Sequence, residues 1–163
     1  MIKQIRDLLG DKFGEESIIR LDEQALQPTL VVNADYIEQI GFFLRDTEGC
    51  YFDFLSNISA VDYFPDNRFD VVYHLASIPY QTQVTLKIEL ENNRDVNELP
   101  EVDSVSAVWR TADWHEREAF DLMGIFFRNH PDLRRILLPD DWVGYPLRKD
   151  YEDAESYHGI TIK

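Results

Sequence analysis

Residues 69–90 read FDVVYHLASIPYQTQVTLKIEL, and the architecture follows from this stretch. Phe69, Val71, Tyr73 and Leu75 alternate with Asp70, Val72, His74 and Ala76. After an interruption at Ile78-Pro79-Tyr80, Val84, Leu86, Ile88 and Leu90 alternate with Gln83, Thr85, Lys87 and Glu89. A period of two sends alternate side chains to opposite faces, so each run is a strand, and the second run shows a wholly polar face to water. Pro79 cannot donate to a ladder and marks the break between them. With Tyr51–Asp62 these runs predict an antiparallel meander of about three strands whose apolar face needs a helical cover.

Towards the N-terminus, Ile2, Ile5, Leu9 and Phe13 fall at helical spacing ahead of Gly14 and predict a short amphipathic helix that the glycine ends. Strands are predicted at Ser17–Leu21 and Thr29–Val32. Asn33 is the expected N-cap of a second helix carrying Tyr36, Ile37, Ile40, Phe43 and Leu44 on one face and ending near Gly49. Towards the C-terminus, Asn92–Asp103 is acidic, contains Pro100 and reads as a loop. Helical spacing returns over Ser104–Gly124 in two pieces divided near Thr111, the second with Asp113 as N-cap, Glu116 as its capping-box partner and Gly124 as its stop. The expected class is α+β: an antiparallel sheet of about three to five strands with helices packed on one face, forming a body over 1–124.

A long irregular C-terminal arm, 125–163, is expected to follow. Pro131, Pro139 and Pro146 forbid a long helix or a central strand there. The same stretch carries Phe126, Phe127, Leu133, Ile136, Leu137, Leu138, Trp142, Tyr145 and Leu147. So many large apolar residues in an irregular chain need a surface to cover, either the protein's own body or a partner.

A length of 163 residues suits one domain. The net charge of −15 excludes a nucleic-acid surface, which needs a basic patch. Residues 1–109 hold eight Lys and Arg against twenty Asp and Glu, whereas 110–150 hold seven against eight, so the body is acidic and the later segment balanced. No stretch reaches the ~18 consecutive apolar residues of a membrane span. The N-terminus mixes acids and bases without an apolar run, which predicts no signal peptide and a cytoplasmic chain. Cys50, the single cysteine, reads as a semi-buried thiol and cannot hold an iron–sulfur cluster alone. His74, His115, His130 and His158 are scattered, and Ala119 stands where a zinc-protease helix needs its second His, so no metal site is predicted. Asp140-Asp141 reads as a turn.

On a helix Asp113, Arg117 and Asp121 fall in one row with Glu118 alongside, so Arg117 is expected between carboxylates. His130-Pro131 is expected to fix a turn, Arg134 and Arg135 to clamp carboxylates or carbonyls of a neighbour, and Pro146-Leu147-Arg148-Lys149-Asp150 to present two cations on an extended strand.

The ordered set Glu116-Arg117-Glu118, Asp121, Gly124-Ile125, Phe127, His130-Pro131, Leu133-Arg134-Arg135-Ile136-Leu137, Asp141-Trp142, Gly144 and Pro146-Leu147-Arg148-Lys149-Asp150-Tyr151 resembles the signature of the C subunit, the 30 kDa type, of the proton-pumping NADH-quinone oxidoreductase, respiratory complex I. Tyr145 departs from it, standing where the family often has His. The resemblance implies a non-catalytic subunit of the peripheral arm on the cytoplasmic side of the inner membrane, meeting the membrane only through the complex. It implies docking to the quinone-site D subunit beside iron–sulfur subunits, with FMN, iron–sulfur clusters and quinone held by those partners and no cofactor in this chain. Glu116, Arg117, Glu118, Asp121, His130, Pro131, Arg134, Arg135, Trp142, Pro146, Arg148, Lys149 and Asp150 are its expected docking or signature residues. Two other readings stand beside it: the equivalent subunit of a membrane-bound hydrogenase or other complex I relative, and a free-standing hydrolase using His130 with Asp140 or Asp141.

Overall fold

The computed structural model describes residues 1–24 and 26–162; Lys163, the last residue of the expected arm, lies outside them. Helix α1 (Ile2–Phe13) buries Ile5 and Leu9 and ends at Gly14, whose φ of 89° suits a residue without Cβ. Strands β1 (Ile18–Asp22) and β2 (Thr29–Val32) follow. Asn33 caps as expected, its side chain accepting from Asp35 N–H, but the segment it caps is a 3-10 turn that leads into α2 (Ile37–Asp46). The meander is β3 (Phe54–Asp62), β4 (Arg68–Ser77) and β5 (Thr82–Glu91).

The five strands form one sheet in the order β1-β2-β5-β4-β3. One pair departs from the antiparallel expectation, because β2 runs parallel to β5. Its origin is the connection: α2 carries the chain from β2 across the sheet to β3, and the two hairpins then bring β5 back to pair with β2. Phe69, Val71, Tyr73, Leu75, Val84, Leu86, Ile88 and Leu90 are all buried in one core with Ile5, Leu9, Ile37, Ile40 and Leu44 of the helices. Burying each such side chain contributes about 1.5–3 kcal/mol.

The opposite face of β5 is polar, as expected, but its charges are joined to Asp70 of β4 and Arg20 of β1 rather than simply solvated. Arg20 of β1 donates to both carboxylate oxygens of Glu89, and Lys87 lies 3.1 Å from Asp70 and 3.3 Å from Glu89. The hydrogen bonds from Arg20 outweigh the cost of burial and hold the Glu89 carboxyl at about 2.

The chain after β5 departs from its sequence reading in three places, the third being the start of the expected irregular arm, where Ile125 and Phe127 join the core and Phe126–Arg128 forms a strand. Glu101–Asp103 is a short strand, β6, inside the expected loop. Residues 104–111 are successive turns, closed by Val108 N–H and Trp109 N–H on Val105 C=O, and not a first helical piece. Single turns repeat every three or four residues, so Val105, Val108 and Trp109 mimic helical spacing. Helix α3 (Ala112–Met123) then runs beside β3, and β7 (Phe126–Arg128) pairs in parallel with β6, which carries Ile125 and Phe127 into the core. Beyond it the chain is irregular apart from a two-residue hairpin, β8 (Ser156–Tyr157) and β9 (Ile160–Thr161).

Candidate functional site

The signature residues gather around α3 and the chain that follows it. Thr111 precedes the helix without capping it, because its hydroxyl donates to Leu55 C=O and ties the helix start to β3. The expected capping box does not form. Asp113 lies in the first turn, paired with Arg117 at 2.8 Å, and Glu116 turns away from the helix start into the protein. There it accepts from the Ser104 hydroxyl at 2.5 Å and from Val105 N–H at 2.7 Å. These partners belong to the turns before the helix and satisfy a buried carboxylate better than the exposed helix end would.

Arg117 is held between carboxylates, but the second is Asp132 at 3.1 Å and not Asp121. Asp121, fully buried on α3, faces the arm. One of its oxygens accepts the N–H groups of Ile136, Leu137 and Leu138 at 2.7–3.0 Å, and the other accepts from Arg135 at 2.8 Å. Burial alone would raise its pKa, yet these four donors hold the carboxyl below the ordinary carboxylate range. Arg135 directs its remaining donors to Asp121 C=O, Trp142 C=O and Gly144 C=O. His130 is enclosed: Asp132 N–H donates to Nδ1, so the ring proton sits on Nε2 and is given to Asp113 C=O at 3.1 Å. The same Nε2 lies 3.8 Å from Glu116.

The second half of the arm is pinned by Arg148. Its guanidinium donates to the carbonyls of Met123, Gly124 and Arg94 and lies between the rings of Phe69 and Tyr145. Gly124 makes this approach possible: φ is 68°, and a Cβ there would lie 2.6 Å from the Tyr145 ring. Leu147 N–H donates to Leu122 C=O, and Lys149 N–H donates to the buried carboxylate of Asp62, which also pairs with Arg94. Arg94 reaches on to Asp150 at 3.1 Å. The expected extended strand with two outward cations is therefore a turn, in which Arg148 points inward while the Lys149 side chain faces solvent.

Asp62, Arg94 and Ser104 complete these clasps; Asp62 falls in Val61-Asp62-Tyr63, which also resembles the family, whereas the signal at Arg94 is only that it is the one cation in the acidic stretch 88–109. Glu118, Pro131, Arg134 and Lys149 are exposed, as are Trp114, Leu137, Val143 and Leu147. Trp142 is half-buried against Tyr157. The hydrolase reading fails on placement: the His130 side chain is enclosed under α3, whereas Asp140 and Asp141 are both at the surface, Asp141 bound to the Tyr157 hydroxyl and to His158. Among the described residues no group of three His, Cys, Asp or Glu side chains is placed to hold a metal ion, and no helix is long and apolar enough to cross a membrane.

The Glu116 cluster has a pH signature. Burial pushes its carboxyl up from 4.5 to about 7; the Ser104 and Val105 donors oppose this and the charge of Asp113 adds to it. Between these two values the unfolded chain binds fewer protons than the folded one. Stability is therefore fully present below pH 4.5 and falls as pH rises to about 7, by on the order of 3 kcal/mol. Glu116→Gln removes the charge and keeps an oxygen acceptor for Val105 N–H, while its amide NH2 can donate to the Ser104 hydroxyl oxygen. Its denaturation free energy, measured from pH 4.5 to 8, should be flatter than wild type and higher at pH 8; parallel profiles would refute this account.

Comparison with known proteins places this arrangement among relatives. A family model described as "Respiratory-chain NADH dehydrogenase, 30 Kd subunit" matches residues 30–157. A protein of Chloroherpeton thalassium named as the C subunit of NADH-quinone oxidoreductase is 45% identical over 95% of the chain, which spans 62% of that protein's length. Proteins of the same name from Chlorobium phaeobacteroides and Citrifermentans bemidjiense are 40% and 46% identical over 96% and 93% of the chain, and 92% of each relative is covered. Among solved structures, a chain of the membrane-bound sulfane sulfur reductase, an archaeal respiratory membrane complex, superposes with a TM-score of 0.71 at 23% identity, covering 92% of this chain and 85% of that one; it shares the fold.

Proposed function

The chain belongs to the respiratory-chain NADH dehydrogenase 30 Kd subunit family, and on that ground we propose that it is a non-catalytic peripheral-arm subunit whose residues 130–151 dock the quinone-site D subunit. The observation that carries this reading is the way the arm is held. Asp121, Arg135, Arg148 and Asp62 bury their charges to fix an irregular path, and that path leaves Leu137, Val143 and Leu147 62%, 85% and 58% exposed. Burying charged groups to order a loop is costly. The cost is offset where the loop is a preformed binding surface, because a rigid surface loses less entropy when a partner closes on it. Arg134 and Trp114 are exposed as well, and arginine and aromatic side chains are the groups that interfaces favour.

In this reading the chain supports electron transfer from NADH to quinone by holding its neighbours in place on the cytoplasmic side of the membrane. FMN, iron–sulfur clusters and quinone belong to partner subunits; a cluster normally takes four thiolates, and this chain has one cysteine, buried and with its thiol pKa raised by that burial.

The test is a pull-down of the tagged protein from its native membranes, with a Leu137→Asp, Val143→Asp, Leu147→Asp variant alongside. All three side chains are exposed, so each change should alter folding stability by no more than about 0.5 kcal/mol. Wild type should bring down the D subunit with iron–sulfur partners, and the folded variant should bring down none. Nickel-hydrogenase partners would favour the related assembly. A variant that still assembles would overturn the assignment of the docking surface to the arm. Truncating at residue 125 would not serve, because Ile125 and Phe127 belong to the core.

A further inference from the structure

The first turns of α1, the loop after α2 and the β4–β5 turn enclose a groove of about 730 Å³. It shares no lining residue with the arm. Its floor is apolar, with Ile5 and Phe52 buried, and its walls are Leu8 and Tyr80, 41% and 44% exposed. Tyr80 is stiffened by stacking on Tyr51, the rings 5.9 Å apart and within 3° of parallel. Tyr51 itself sits at φ 36°, a left-handed conformation that a bulky residue adopts only where its surroundings hold it. The wall is thus an aromatic surface left partly open by the described residues.

The charged side chains that line the groove are all acidic. Asp7, Asp11 and Glu48 stand among the lining residues, and none of those residues is Lys or Arg. Asp7 has Arg6 within 3.4 Å, whereas Asp11 and Glu48 make no ion pair among the described residues. The excess of twelve acids over bases in residues 1–109 extends the same field outward. An apolar floor bounded by unpaired carboxylates selects an occupant with apolar anchors and flanking cations. Sheet β1–β5 presents no strand edge into the groove, so recognition falls to side chains, the mode in which an amphipathic helix lays its apolar face into a cleft.

We propose that this groove is a second docking surface, which takes a basic amphipathic helix of a neighbouring subunit, so that the chain bridges two partners from two separate surfaces. This rests on the reading of the chain as a subunit of a larger complex. The complex is purified from native membranes with p-benzoyl-phenylalanine in place of Leu8, and in a parallel preparation in place of Val143; each is irradiated and the cross-linked peptides are sequenced. Position 8 should attach to a single Lys- and Arg-rich segment with apolar residues at helical spacing. Asp11→Lys with Glu48→Lys, both exposed, should cut that product about tenfold or more while leaving the position 143 product unchanged. A partner captured at position 143 with nothing at position 8 overturns the groove proposal and spares the arm. So does an acidic segment, a lipid or a second copy of this chain at position 8. Capture at neither position removes both readings.

Discussion

Asp121→Ala should lower the unfolding free energy by about 3–5 kcal/mol. The carboxylate is buried and collects three consecutive backbone N–H groups, from Ile136, Leu137 and Leu138, together with the Arg135 guanidinium. Removing it leaves the partly buried Arg135 without its carboxylate and takes away the common acceptor of three consecutive amides. Asp121→Asn keeps an oxygen acceptor but loses the charge, and should fall between wild type and Ala. The pH dependence supplies an independent check. With a folded pKa below that of the unfolded chain, Asp121 contributes stability above about pH 3.9 that is lost as pH falls towards its depressed folded value. The Ala variant should lose less stability on acidification than wild type. Denaturation at pH 7 and pH 3, with hydrogen exchange of residues 136–138, measures both effects. Exchange at those three amides as slow as in wild type would show that the arm is held by something else.

Arg148→Ala should cost about 3 kcal/mol or more, because it leaves the carbonyls of Met123 and Gly124 without their donor and opens a cavity between Phe69 and Tyr145. Arg148→Lys should restore only part of this. A single ammonium keeps the charge but lacks the fork that reaches several carbonyls while stacking on two rings. The neighbouring Lys149→Ala is the sharpest control. Its contribution to the clasp is a backbone N–H given to Asp62, which Ala keeps, so its stability should lie within about 0.5 kcal/mol of wild type. Thermal melts of the three variants separate the inward cation from the outward one. Equal losses at 148 and 149 would mean that the arm is pinned by overall charge and not by the Arg148 fork.

These residues also show how far local pattern reaches. The row Asp113, Arg117, Asp121 places Arg117 between acids, and the structure agrees for Asp113, because helical spacing is a local property. The second acid differs, since Asp132 approaches from a chain that returns over the helix, and Asp121 is drawn instead to the amides of 136–138. The capping box at Asp113 and Glu116 fails for the same reason: the turns at 104–105 offer Glu116 buried donors that no local pattern reveals. Strand β6 is invisible in the sequence because three residues paired in parallel carry no alternation long enough to detect. Arg148 and Lys149 read alike as outward cations, although adjacent residues in a turn point apart.

Fold class and family are legible in the amino acids alone. Alternation at 69–76 and 83–90, the apolar spacing of α1 and α2, and the prolines of the arm are all short-range patterns set by backbone geometry, and they survive any change in what packs against them. Which charges turn inward, the parallel pairing of β2 with β5, and which apolar residues the arm leaves exposed are settled only in the folded chain. Those outcomes depend on groups distant in sequence meeting there, where a buried donor or carboxylate must find a partner wherever the fold supplies one.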